Sequence, residues 1–467
     1  MRKISSVTLI SLTGTSPRRK KKTPSPIRSG TGSREIYVSR GRYLFDSPLV
    51  GSCIFGQSGG PTAVINASAY GVIKTALESD AITKVYGAAH GIKGVLSDEL
   101  FDMGEEEDYE LKLLLNTPSS ELGSCRYKIA DPDDDESDYI KILETFKKYN
   151  VRYFFYNGGN DSMDTCNKIS RYMERVGYEC RVIGIPKTID NDLFGTDHCP
   201  GFGSAAKFIA TTCMEIDKDT DVYDTEMVTV VEIMGRHAGW LTASAALATE
   251  YGHGCGPDLI YLPERDFDLD RFTEDVRKVL KQKHNVLVAV SEGVHYADGS
   301  FVSEAKTSGT DGFGHAQLGG LATKLASYLK DALKIKKTRG IELSLLQRCG
   351  SHIASSVDIQ EAFMVGKVAV EAAIAGETGK MVALERDDTS GTYSCHTTLL
   401  SLSSVANYEK KVPLEWITDD GNYITSDFIN YVLPLIQGEP HIPKENSLPR
   451  YARLKKVRAK PEETICV

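Results

Sequence analysis

This chain contains no apolar run approaching the roughly 20 residues that a membrane-spanning helix needs, which argues against insertion in a bilayer. It also lacks any C-x-x-C pair, because its ten cysteines are scattered singly. Neither a zinc ribbon nor a thioredoxin-like motif is supported, and the simplest expectation is reduced thiols in a cytoplasmic setting. Basic residues are in deficit, 55 against 64 acidic ones for a formal net charge of -9, so general nucleic-acid affinity is not expected. Acids in turn are scarce in the first 48 residues. Only Glu35 and Asp46 are set there against the basic run Arg18–Lys22 and many Ser, Thr, Gly and Pro residues. Such composition reads as a basic disordered tail. An organelle-targeting segment is the alternative, opposed by the shortness of the apolar stretch Val7–Leu12 and the lack of a clear amphipathic helix after it.

From about residue 49 the 467-residue chain alternates strand-like and helical patterns, and its length allows two lobes with ordinary cores. Cys53–Phe55, Val151–Tyr156, Val182–Ile185, Val228–Ile233, Leu259–Leu262, Val286–Val290 and Ile341–Leu346 are short apolar strand candidates. Helical stretches are expected at Ala63–Leu77, Gly239–Glu250 and Leu269–Lys281. Helical spacing also links Tyr139, Leu143 and Phe146, then Cys166, Ile169, Met173 and Val176, then Leu321, Leu325 and Leu329. Strands alternating with helices of this length predict an α/β fold, two lobes with largely parallel sheets flanked by helices. The acidic run Asp131–Asp138 reads as a solvated loop serving a helix N-terminus, with cation chelation as the alternative.

The chemistry is expected where strands end. Gly56–Thr62 (GQSGGPT) leads from a strand into a helix, so its glycines let backbone approach an anion beside the positive helix end; a tight turn explains it equally well. It is not a Walker A loop, because no Gly-Lys-Ser/Thr follows. Gly158–Ser162 (GGNDS) has the same placement, and Asp161 either holds a metal on a polyphosphate or N-caps the next helix. Pro186–Asp192 (PKTIDND) carries a carboxylate and an ammonium within four residues, Asp190 and Lys187. Phosphoryl transfer to a hydroxyl needs both kinds of group, one to take a proton and one to hold phosphate. A polar turn is the alternative, although it does not explain the lysine. Met234–Trp240 (MGRHAGW) places Arg236 where it can reach phosphate oxygens, while His237 reads as structural. Glu292 and Arg348 follow two further strand candidates.

In this order, GQSGGPTAVINA, NGGNDS, PKTIDND, GFGSAA, VVEIMGRHAGW, GPDLIYLPE, VSEG and LLQRCG resemble the phosphofructokinases over roughly residues 50–440. The resemblance implies an active site in the cleft between two lobes. The first lobe, 49–201 plus about 355–405, would take the phosphate donor. The second, 202–354 plus about 406–467, would take fructose 6-phosphate. It further implies that Asp190 deprotonates the sugar 1-hydroxyl, with Thr188 and Asp192 bracketing it, and that Arg236 stabilises the phosphoryl group in flight. Met234 and Gly235 would line the sugar site, Glu292 would bind sugar hydroxyls, and Arg348 would grip the 6-phosphate. Gly59, Gly60 and Arg126 would hold the donor phosphates, which Mg²⁺ would bridge, with Asp161 as its carboxylate.

Asp161 and Lys187 stand where ATP-using relatives carry glycine, and so resemble the pyrophosphate-using branch. The implied reaction is reversible, glycolytic transfer from pyrophosphate to fructose 6-phosphate. An ATP-dependent enzyme or a catalytically silent regulatory subunit of the family is the alternative, and a different acceptor such as sedoheptulose 7-phosphate a related one. A homo-oligomer, dimer or tetramer, is expected. Two positions depart from the pattern: Asn160, where many members have Asp, and Met227, where many bacterial relatives place an arginine that reaches a neighbouring subunit.

Overall fold

The computed structural model describes residues 49–303, 319–387, 392–406 and 408–461, so the tail expected at 1–48 lies outside the described residues. Eleven strands build the two main sheets: β1 (Gly51–Gln57), β2 (Ile82–Ala88), β3 (Leu100–Asp102), β4 (Val151–Gly158), β5 (Arg181–Pro186), β6 (Met227–Ile233), β7 (Leu259–Tyr261), β8 (Asn285–Ser291), β9 (Lys337–Glu342), β10 (Lys380–Asp387) and β11 (Ser394–Ser401). The first sheet has the order β11-β10-β5-β4-β1-β2-β3 and the second β7-β8-β6-β9. All pairings are parallel except those of the edge strands β3 and β11. Every residue of β1, β6 and β8 is buried, because helices cover both faces of a parallel sheet. This is the α/β architecture that the strand–helix alternation predicts.

Two expected elements differ. Ile341–Leu346 is not the strand; β9 ends at Glu342, while Leu345 and Leu346 stand 55% and 62% exposed and Leu346 opens a short helix. As an edge strand, β9 is held by its backbone pairing to β6, so its exposed face carries Lys337 and Arg339 and shows no apolar run. Gly239–Glu250 forms two short helices, Trp240–Ala243 and Ala246–Tyr251. Between them the Ser244 hydroxyl donates back to the Leu241 carbonyl, competing with the helical ladder.

The acidic run 131–138 is a turn in which Asp131 and Asp135 accept backbone N–H bonds from Asp133 and Ser137, and Arg175 pairs with Asp133 and Glu136. It leads into the helix Ser137–Lys148. The C-terminal segment divides. Val412, Ile417, Phe428 and Val432 join the core of the second sheet, yet Arg458 pairs with Phe101 and Ala459 N–H donates to Leu100 O at 2.8 Å, beside β3 of the first. No helix among the described residues is long and apolar enough to cross a membrane, and the nine described cysteines are all free.

Candidate active site

The C-terminal ends of β1, β4 and β5 and those of β6 and β8 open onto one cleft of about 600 Å³. Parallel sheets gather ligands there because backbone N–H groups and helix N-termini point outward from that edge. From the first sheet the lining includes Gly59, Gly60, Arg126, Asp161, Lys187, Thr188, Asp190 and Asp192; from the second, Met234, Arg236, Glu292 and Arg348. Gly235 lies just behind the wall. Its φ of +138° suits glycine, and its N–H donates to Glu292 Oε1 at 3.4 Å.

On the side of the first sheet, Gly59 turns the chain at φ +76° and its N–H donates to Cys125 O at 3.0 Å. Ser124 Oγ donates to Gly59 O at 2.7 Å, so the glycine loop and the stretch bearing Arg126 are fixed to each other. Lys187 is buried, and its Nζ donates to Gly60 O at 2.7 Å. Burial pushes its ammonium down to about 8, with Asp190 and Asp192 opposing the shift and Arg126 and Arg348 adding to it. A Cβ on Gly60 would stand 3.0 Å from Arg348 Nη1 and 3.9 Å from Arg126 Nη2. Cations from both sheets therefore converge on Gly60, Arg126 from the first and Arg348 from the second. Asp161 lies inside the first turn of the helix Asn160–Arg175, whose N-cap is Gly159, so the capping alternative falls.

Asp190 sits half-buried on the cleft floor. Its N–H donates to Thr188 Oγ1 at 3.1 Å, and Thr188 Oγ1 donates to its carboxylate at 3.4 Å. Burial raises the Asp190 pKa, with Lys187 the largest opposing charge. Burial, then Asp190 and Glu409, push Asp192 up to about 7, and burial, then Asp190, push Glu292 up to about 7. Crowded carboxylates over a cation-rich loop suit proton transfer beside an incoming polyanion.

On the side of the second sheet, Met234 N–H donates to Gln347 Oε1 at 3.2 Å, joining MGRHAGW to QRCG. Gly293 lets the segment after β8 pass close against Arg236, since a Cβ there would stand 1.9 Å from Arg236 O. His237, expected to be structural, is exposed and lines the cleft. Met227 is buried at the start of β6. Sequence reasoning missed Glu409, which also lines the cleft; it stands in no glycine loop and is brought there by the pairing of its segment with Leu193 and Asp192. Asn160 Oδ1 is buried without a protein hydrogen-bond partner beside Asp161. An orphaned amide oxygen next to a carboxylate fits a hard cation that takes oxygen ligands.

A family profile described as Phosphofructokinase matches residues 53–373. The chain is 43% identical over 410 residues to a protein of Halomonas elongata named pyrophosphate--fructose 6-phosphate 1-phosphotransferase, covering 87% of this chain and 97% of the relative. A Methylococcus capsulatus protein of the same name is 43% identical over 406 residues, covering 86% and 96%. Among solved structures, the pyrophosphate-dependent phosphofructokinase from Nitrosospira multiformis superposes with a TM-score of 0.80 at 40% identity, covering 89% of this chain and 99% of that one.

Proposed function

The chain belongs to the phosphofructokinase family, and on that premise we propose that it transfers a phosphoryl group reversibly between pyrophosphate and fructose 6-phosphate, giving fructose 1,6-bisphosphate and phosphate. The observation that carries the donor choice is the pair of side chains at the donor loops. Lys187 is buried with its Nζ on Gly60 O, and Asp161 occupies the first turn of the neighbouring helix. A carboxylate there fills and repels where a longer donor would lay its inner phosphate, while the ammonium serves a small, highly charged one.

In the proposed reaction Asp190 takes the proton of the sugar 1-hydroxyl, O1 attacks the near phosphorus, and the bond from that phosphorus to the bridging oxygen breaks. Inorganic phosphate then leaves. Thr188 and Asp192 hold the base in place, and Arg236 stabilises charge on the transferring group. Met234 and Gly235 line the sugar site, Glu292 binds sugar hydroxyls, and Arg348 holds phosphate where the two lobes' cations meet. Gly59, Gly60 and Arg126 bind the donor. Asp161 and the Asn160 amide oxygen would hold Mg²⁺ against the donor phosphates, where the ion supplies charge neutralisation. The lobe of residues 49–201 and about 355–405 is the donor lobe in this reading, and the other takes the sugar.

Pyrophosphate and ATP, each with Mg²⁺ and fructose 6-phosphate, decide the donor. Turnover with pyrophosphate and reversal by phosphate are expected; turnover with ATP alone would overturn the reading. Assembly as a homo-oligomer belongs to the same proposal, supported by the exposed Leu345 and Leu346 beside Arg348.

A further inference from the structure

Lys410 lies outside every motif, yet it joins the two loops that face each other across the reaction centre. Its backbone N–H donates to Asp192 O at 2.8 Å, while its Nζ donates to Thr196 O at 3.2 Å and Asp197 O at 2.6 Å. All three acceptors follow Asp190 on the same loop. Toward the second lobe, Lys410 O accepts the Trp240 indole N–H at 2.9 Å, and its Nζ lies 5.0 Å from the centroid of that ring. Two residues on, Val412 N–H donates to Glu264 Oε1 at 3.0 Å, the same oxygen that accepts Gly239 N–H at 2.9 Å. Gly239 and Trp240 follow Arg236 and His237 after Ala238 in the second loop.

We propose that Lys410 is a positioning residue for phosphoryl transfer, setting the separation between Asp190 on one lobe and Arg236 on the other. The physical argument is one of tolerance. In-line transfer requires the base, the acceptor oxygen and the charge-stabilising guanidinium to be in place together, and an error of about 1 Å costs about 10²-fold in rate. Short loops on separate sheets have no common backbone ladder to fix that spacing. Segment 408–412 links them instead, by backbone pairing to the first loop and through the Trp240 and Glu264 side chains to the second, and Lys410 is the residue within it that bonds both loops. Lys410 is absent from the cleft lining, so it acts through its neighbours rather than on substrate.

The inference rests on the roles proposed for Asp190 and Arg236. Lys410→Met keeps the length of the side chain and removes the ammonium; Lys410→Arg restores a cation with several donors. Full-length variants assayed with Mg-pyrophosphate and fructose 6-phosphate are expected to show kcat lowered about 10²-fold in Lys410→Met. KM for both substrates should stay within about threefold, because the residues that would bind them are untouched. Lys410→Arg should recover most of the lost kcat. A kcat within threefold of the parent, a rise in KM at constant kcat, or an arginine variant as slow as the methionine one would each overturn the inference. If Lys410→Met does not fold, Trp240→Phe decides with its circular dichroism and melting checked against the parent, since it keeps an aromatic ring and removes the N–H bond to Lys410 O together with part of the ring packed on Trp416, Phe428 and Tyr431. A kcat lowered about tenfold at unchanged KM supports the inference, and an unchanged kcat overturns it. A parent enzyme inactive with pyrophosphate would overturn the proposed function itself, a separate outcome.

Discussion

Asp190 and Lys187 are three residues apart, and burial acts on them in opposite senses, raising the carboxyl pKa and lowering that of the ammonium. Asp190 is the base in the proposed reaction. Asp190→Asn keeps the shape and removes the base, so kcat should fall about 10²- to 10⁴-fold in a steady-state assay, and near-parental turnover would remove it from that role. For Lys187 the consequence is a pH limb. Its charge is present below about 8 and is lost as pH rises through that value, so kcat/KM for pyrophosphate should decline on the alkaline side. Lys187→Arg stays charged throughout and should lack that decline, whereas the donor's own ionisation affects both enzymes equally. Two superimposable profiles would show that Lys187 does not set the limb.

At the scale of elements, the site follows from where strands stop. β1, β4 and β5 were legible as strands because both of their faces are buried, which leaves near-continuous apolar runs. β11 was not, since an edge strand shows solvent one face and mixes Ser, His and Thr among its apolar residues. The helix Ser356–Ile374 was also missed. It packs on Ile65–Leu77 through Gly71 and Gly366, where an added Cβ would stand 2.2 Å from a carbonyl of the facing helix, and so needs no ordinary apolar stripe at the crossing. The glycine loops stood out because glycine and polar residues directly follow apolar runs. The strap at 408–412 carries no such mark, for it follows no apolar run or glycine loop, and the carbonyls and indole ring that Lys410 Nζ meets lie far from it in the chain.

At the scale of the whole molecule, the cleft has charge of both signs on both lobes, with Arg126, Lys187 and Asp190 facing Arg236, Arg348 and Glu292. The pKa of Arg348 is lowered by burial and then by Arg126, so these cations repel one another across the cleft until an anion enters. The apolar pair Leu345 and Leu346 lies on the outer surface next to Arg348. If that patch joins copies of the chain, the joint substitution Leu345→Glu and Leu346→Glu should lower the mass seen by light scattering from an oligomer to a monomer while leaving the circular dichroism unchanged. An unchanged mass would assign the assembly to another face.

The sequence by itself determined the α/β class, the sites of the loops and the residue types they bring to the cleft, because apolar runs, glycines and charged residues act over short chain distances. Asp161, Lys187, Asp190 and Arg236 could be chosen from it for the same reason. Only the tertiary structure decided that Arg348 crosses to Gly60, that Asp161 sits inside a helical turn instead of capping it, that Glu409 lines the cleft and that Lys410 bonds the loop behind it. Those placements depend on contacts between residues far apart in the chain, where local pattern holds no information and packing alone sets the distance.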